Sequence, residues 1–206
     1  VSFQRSDQRL DAFGLAALVR MYAYSPETAS LIPLVVAESL RGNDAPLLGQ
    51  IDLLTGNMED LIGNAMQLSV ICAEDADLLA PDPAAQNMLL GNQMVEAIQE
   101  QCAIWPHAQR PADFRTPLGG DIPTLVLEGE LDPVTPPRYG EAVIKHLGNA
   151  KLIVAKGQGH NVIGRGCLPK LVAGFMDALN PTTLDATCVD ALGPMPHFID
   201  FNGAAP

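Results

Sequence analysis

Two residues in the second half of the chain carry the side chains that acyl-transfer chemistry needs. Asp132 lies in Glu128-Gly129-Glu130-Leu131-Asp132-Pro133-Val134-Thr135-Pro136-Pro137, and His160 in Gly157-Gln158-Gly159-His160-Asn161. An imidazole can take the proton of an attacking hydroxyl, and a carboxylate can fix its tautomer and stabilise its charged form. Their order is informative, because one arrangement of such sites runs nucleophile, acid, histidine, each beyond the carboxyl end of a strand. Thr124-Leu125-Val126-Leu127 leads into Asp132, and Leu152-Ile153-Val154-Ala155 leads into His160, with a helical segment between them. Taken singly, Asp-Pro after a strand is a common turn and Gly-His in a loop is often only a surface histidine. Together and in this order they are expected to be a catalytic acid and base.

The nucleophile is another matter. No Gly-x-Ser-x-Gly elbow occurs, and none of Ser2, Ser6, Ser25, Ser30, Ser39 and Ser69 sits in a glycine-flanked turn between strand and helix. The chain therefore reads as the carboxyl-terminal part of an enzyme, inactive alone, since losing one triad member removes several powers of ten in rate. Glu74 and Asp75 are the next candidates, because a carboxylate near a pocket can hold a peptide's free amino terminus by a charge-assisted hydrogen bond. The plainer alternative is that they cap a turn or sit in solvent. His107, His146 and His197 have no partner motif, and Trp105, Tyr22 and Tyr24 read as packing residues.

Around these residues the chain has a globular composition, with 48% hydrophobic and 17% charged residues among 206. A formal charge of −12 would repel phosphate backbones, and no basic stripe offsets it, so nucleic-acid binding is not expected. Apolar stretches are far short of a membrane span. No signal peptide is visible, and a start at Val1 fits a processed or truncated product. Cys72 and Cys102, then Cys167 and Cys188, form two local pairs. Three connectivities are open to four cysteines, and buried free thiols are the alternative; we lean to two sequential disulfides in an oxidising compartment. No Cys-x-x-Cys spacing suggests zinc or redox chemistry, and no metal or cofactor is expected.

The elements that must position the site follow from periodicity. Helices are expected over about 7–22 (capped by Asp7), 28–40, a third around Met58, Leu61, Ile62, Ala65 and Met66, and 85–102, with a strand-like run from Leu68 to Cys72. Composition turns to proline, glycine and charge from Arg110 to Asp121. This places a helical lid or cap over 1–110 and the carboxyl-terminal α/β core over 111–206. In the core, Thr135 should cap a helix with Pro136 at its first position, burying Tyr139, Ala142, Val143 and Leu147. A later helix should bury Leu168, Leu171, Val172, Phe175, Met176 and Leu179 and stop at Asn180-Pro181. Phe198, Ile199 and Phe201 should pack back on the core. Two strands alone leave an open sheet edge, so a partner carrying further strands, or a second copy, is expected beside them.

The Asp132 and His160 segments resemble the end of α/β-hydrolases of the tripeptidyl and prolyl aminopeptidase type, the TAP-like group. Leu31-Ile32-Pro33-Leu34-Val35 through Gly42-Asn43 resembles that group's lid helix. Ser69-Val70-Ile71-Cys72-Ala73-Glu74-Asp75 with Cys102-Ala103-Ile104-Trp105 resembles its paired cysteine segments, and Cys167 and Cys188 resemble the cysteines flanking its last helix. The resemblance spans nearly the whole chain. It implies an α/β-hydrolase fold, a secreted or periplasmic serine peptidase, and the Cys72–Cys102 and Cys167–Cys188 disulfides. It also implies an elbow serine and oxyanion hole in a segment ahead of the lid, and release of amino-terminal residues or short peptides. An esterase of the same fold and a non-catalytic peptide-binding domain are the rival readings.

Overall fold

The computed structural model describes residues 12–61, 64–89 and 91–204. In chain order the elements are α1 (Ala12–Tyr22), α2 (Pro26–Ala29), α3 (Ile32–Leu40), α4 (Ala45–Leu61), α5 (Asn64–Glu74), α6 (Gln93–Ile104), β1 (Thr124–Gly129), α7 (Pro137–Ile144), β2 (Ala150–Ala155), α8 (Leu168–Ala178), β3 (Phe198–Asp200) and β4 (Gly203–Ala204). The expected Asp7 cap lies outside the described residues. The chain divides into two units, one holding the chain through Leu18 with Gly42–Arg115, the other Val19–Arg41 with Thr116–Pro206. Residues 19–41, read from sequence with the lid, thus group with the core-bearing unit. Long-range bonds tie them there: Tyr24 O accepts the His160 N–H at 2.7 Å, and Ser30 O accepts the Phe198 N–H at 3.0 Å.

The first unit is helical. The run Leu68–Cys72, expected as a strand, is the second half of α5. Short apolar runs are ambiguous between strand and helix, and here Leu68, Ile71 and Cys72 turn inward at helical spacing while Ser69 and Val70 are exposed. The Cys72–Cys102 disulfide joins α5 to α6. Arg110 and Arg115 both bond the Glu74 carbonyl at the end of α5, at 2.9 and 2.6 Å, and both pair with Asp77. The helix expected from 85 begins only at Gln93. Before it, Asp82 N–H donates to Asn92 Oδ1 and Asn92 Nδ2 to Asp82 O, each at 2.9 Å, closing a loop ahead of the helix. Of the residues assigned to one face of the third helix, Met58, Leu61 and Ile62 have no described side chains. Ala65 and Met66 are exposed.

In the second unit β1 and β2 pair in parallel from Thr124↔Ala150 to Gly129↔Ala155. Successive side chains on a strand face opposite ways, and the two faces carry different cover. Leu125, Leu127, Ile153 and Ala155 pack with Leu168 and Leu171 of α8, Val162 and Val189. Glu128 and Leu152 face α7, where a Cβ on buried Gly140 would lie 2.9 Å from an atom of each. Helices on both faces of parallel strands make this an α/β architecture.

Three expectations about buried faces need correction. α7 starts one residue late, with Pro136 as cap and Pro137 first. It packs through Gly140, so Tyr139 and Val143 are half exposed and Ala142 is exposed. Arg138 covers the Tyr139 ring instead, 4.8 Å from its centroid. On α8, Leu168 and Leu171 are buried, but Met176 and Leu179 near its end are exposed. In the tail Phe198 is partly buried, whereas Ile199 and Phe201 point to solvent from the short β3–β4 hairpin.

The Cys167–Cys188 disulfide ties the start of α8 to the segment bearing core residue Val189, across a sequence separation of 21. Replacing both cysteines by alanine should lower stability by about 3 kcal/mol in the chain-entropy account. Denaturant unfolding measures it, and an unchanged midpoint would contradict the role given to this link.

Candidate active site

Both candidate loops begin where the parallel strands end. Gly129 closes β1 against the neighbouring loop so tightly that a Cβ there would lie 1.9 Å from Gly159 O. The two loops are joined by Glu130 N–H to Ala155 O at 3.0 Å and Leu131 N–H to Gln158 O at 2.9 Å. Gly157 N–H donates to Glu130 Oε2 at 2.8 Å. Gly157 itself has φ +66, and a Cβ would meet Pro194 N at 2.1 Å, so only glycine fits this turn.

This framework brings Asp132 and His160 together. His160 Nδ1 lies 2.8 Å from Asp132 Oδ2. The Asp132 side chain is almost fully buried, and all its bonds converge on the carboxylate. Oδ1 accepts the N–H groups of Val134 at 2.8 Å and Thr135 at 2.9 Å, and Oδ2 also accepts the Thr135 hydroxyl at 2.9 Å. Burial pushes the carboxyl pKa up, but the Thr135 and Val134 amides, His160 and the Thr135 hydroxyl outweigh it, so the value lies below that of an ordinary aspartate. Since an ionised carboxylate only accepts, the network assigns the imidazole proton to Nδ1. Among the described residues nothing hydrogen-bonds Nε2, which is thereby left as an acceptor.

The histidine is held from a second direction. Its ring stands edge-on to Tyr24, with centroids 5.3 Å apart at 74°. A Cβ on Gly159 would come within 2.3 Å of Tyr24 O. Arg165, just beyond the histidine loop, forms a two-pronged ion pair with Glu27, Nη2 to Oε2 at 2.8 Å. The hydrogen bond from Arg165 draws the Glu27 carboxyl down to about 2.

Sequence reading missed these supports. From sequence Tyr24 reads as a packing residue and Thr135 as a helix cap. An Asp followed three residues later by Thr, with a proline after it, was the available signal for Thr135. Nothing local marks Tyr24, Glu27 or Arg165. Three described serines are engaged elsewhere: Ser25 Oγ donates to Glu27, Ser30 Oγ to Glu27 O at 2.6 Å and Ser69 Oγ to Ala65 O at 2.8 Å. Glu74 and Asp75 lie in the first unit, at the end of α5 and in the turn after it, and Asp75 is exposed. Among the described residues no group of three or more His, Cys, Asp or Glu side chains is arranged to hold a metal.

The family model of TAP-like proteins matches residues 86–188, half of the chain. The chain belongs to the TAP-like family of α/β-hydrolases. As a TAP-like protein it is a hydrolase, and the matched span includes Asp132, His160 and three of its cysteines, Cys102, Cys167 and Cys188. No curated protein and no solved structure matches the chain.

The sign of the Asp132 contribution to stability follows from its lowered pKa. The stabilisation is full above the unfolded aspartate value near pH 4 and is lost as pH falls through the lower folded value. At neutral pH Asp132→Asn should be less stable by roughly 2 kcal/mol, the scale of a hydrogen-bonded buried carboxylate. Thermal melts should show the two proteins converging as pH drops below about 4. A gap independent of pH would contradict the bonding described.

Proposed function

We propose that this chain supplies the acid and base of a Ser-His-Asp triad in an exported serine peptidase, an aminopeptidase releasing amino-terminal residues or short peptides. The serine would come from polypeptide outside these 206 residues. The supporting observation is the 2.8 Å bond from His160 Nδ1 to a buried carboxylate, with Nε2 left to accept. An unreacted serine hydroxyl would donate to Nε2. On attack at a peptide carbonyl its proton passes to Nε2, and the imidazolium is stabilised by Asp132. His160 then returns the proton to the departing amine, and the acyl-enzyme is hydrolysed by water activated in the same way.

The resemblance to aminopeptidases supports peptidase over esterase chemistry, and Glu74 and Asp75 are the proposed ligands for the substrate ammonium group. Two disulfides support export to an oxidising compartment. Among the described residues no helix is long and apolar enough to cross a membrane. The segment that brings the serine would also extend the sheet at the open edge of β1 or β2, satisfying backbone groups that a two-stranded sheet leaves unpaired.

Assays of the full-length protein with aminoacyl and peptidyl anilides against simple acyl esters test this directly. Hydrolysis of anilides is expected, and His160→Ala or Asp132→Asn should reduce kcat/KM by about 10⁴-fold. Turnover of esters alone would identify an esterase. Anilide hydrolysis unaffected by His160→Ala would overturn the triad.

A further inference from the structure

Thr135 grips both oxygens of the Asp132 carboxylate. Its amide donates to Oδ1 at 2.9 Å and its hydroxyl to Oδ2 at 2.9 Å. The two oxygens are not equally secured. Oδ1 also accepts the Val134 amide at 2.8 Å, whereas the other bond of Oδ2 is the one to His160 Nδ1. Among the described residues, then, the Thr135 hydroxyl is what fixes Oδ2 apart from the imidazole that Oδ2 serves. A carboxylate turns about its terminal bond in a broad torsional well, so bonds to one oxygen restrain that turn only in part.

The same hydroxyl stands 3.4 Å from His160 Nδ1. It has one proton, and an ionised carboxylate can only accept, so that proton is spent on Oδ2 and a lone pair is left toward the ring. At 3.4 Å this is a weak second acceptor for the Nδ1 proton beside the 2.8 Å bond to Oδ2. It favours the tautomer protonated at Nδ1 and disfavours the other, whose bare Nδ1 would face lone pairs on both oxygens. Pro136 follows Thr135 and keeps its backbone out of the helical region, which limits how far the hydroxyl can move.

We propose that Thr135 is a positioning residue for His160: its hydroxyl fixes the Asp132 oxygen that holds Nδ1 and keeps the imidazole in the tautomer whose Nε2 is free to accept. The catalytic gain rests on the triad proposed above, whereas the hold on the carboxylate does not. Oδ2 matters most when the ring carries both protons and its charge needs the carboxylate. A hydroxyl that has already set Oδ2 in place spares the site that reorganisation, so it acts on turnover rather than on substrate binding.

Thr135→Val removes the hydroxyl and keeps the β-branched shape, and because Thr135 is exposed the change leaves no cavity. Thr135→Ser keeps the hydroxyl. Solvent exchange of the His160 Nδ1 proton, followed by NMR in the full-length protein without substrate, reads the hold. Exchange should quicken about fivefold in Thr135→Val, the scale of one net hydrogen bond, and stay near the wild-type rate in Thr135→Ser. By the same scale kcat should fall about fivefold in Thr135→Val with KM unchanged, and recover in Thr135→Ser. In the Asp132→Asn background the added cost of Thr135→Val should vanish, because the hydroxyl acts through that carboxylate.

Equal exchange in wild type and Thr135→Val would overturn the proposal. So would faster exchange in Thr135→Ser as well, since the hydroxyl would then not be what matters. Faster exchange in Thr135→Val alone, with no turnover of any acyl substrate by wild type, would refute the triad and support the hold on Asp132. Should Thr135→Val fail to fold, Thr135→Ala compared with Thr135→Ser carries the same outcomes.

Discussion

Parallel pairing of β1 with β2 is the constraint from which the candidate site follows. Because the strands run the same way and end in register at Gly129↔Ala155, the loops that leave them emerge at one edge of the sheet. Antiparallel strands would have sent Asp132 and His160 to opposite ends. The remaining features refine that placement. Gly129 lets the two loops touch, and amides of the first loop donate to carbonyls of the second before either catalytic candidate is reached. The side chains then need to span only the last 2.8 Å.

Electrostatics at this edge separates two carboxyls only a short stretch of chain apart. Asp132 is buried yet carries enough donors to stay ionised below the usual aspartate range. Glu128 is pushed the other way, first by burial and then by the nearby Asp132 carboxylate. Pairs of titratable groups driven in opposite directions are a hallmark of sites that handle protons. The difference comes from the loop rather than the strand. Proline and threonine after Asp132 fold the chain back so that two amides and a hydroxyl face its carboxylate, while Glu128 lies between a glycine and a leucine.

Much of this arrangement was legible in sequence because its signals are local. Two apolar runs of strand length, each followed by a glycine-rich or proline-bounded loop with one functional residue, sufficed to pair Asp132 with His160. Both cysteine pairs could be anticipated from their spacing only as a leaning, and the family resemblance strengthened it. Non-local packing decided the rest. Leu68–Cys72 satisfies a strand pattern by itself, yet it continues a helix tied by a disulfide to α6. The buried face of α7 was misread by one residue because Gly140, which has no side chain to score as apolar, makes the contact. Tyr24 and the Glu27–Arg165 pair reach the histidine loop from far away in sequence, and no periodicity records that.

The hydrogen bond between His160 Nδ1 and Asp132 carries the whole account, and proton NMR of the protein below the histidine midpoint tests it most directly. A proton in a charge-assisted imidazolium–carboxylate bond resonates far downfield and exchanges slowly. The account predicts such a resonance, coupled to a ring nitrogen of His160 and absent from Asp132→Asn. A His160 ring without a downfield proton, or with one that persists unchanged in Asp132→Asn, would contradict it.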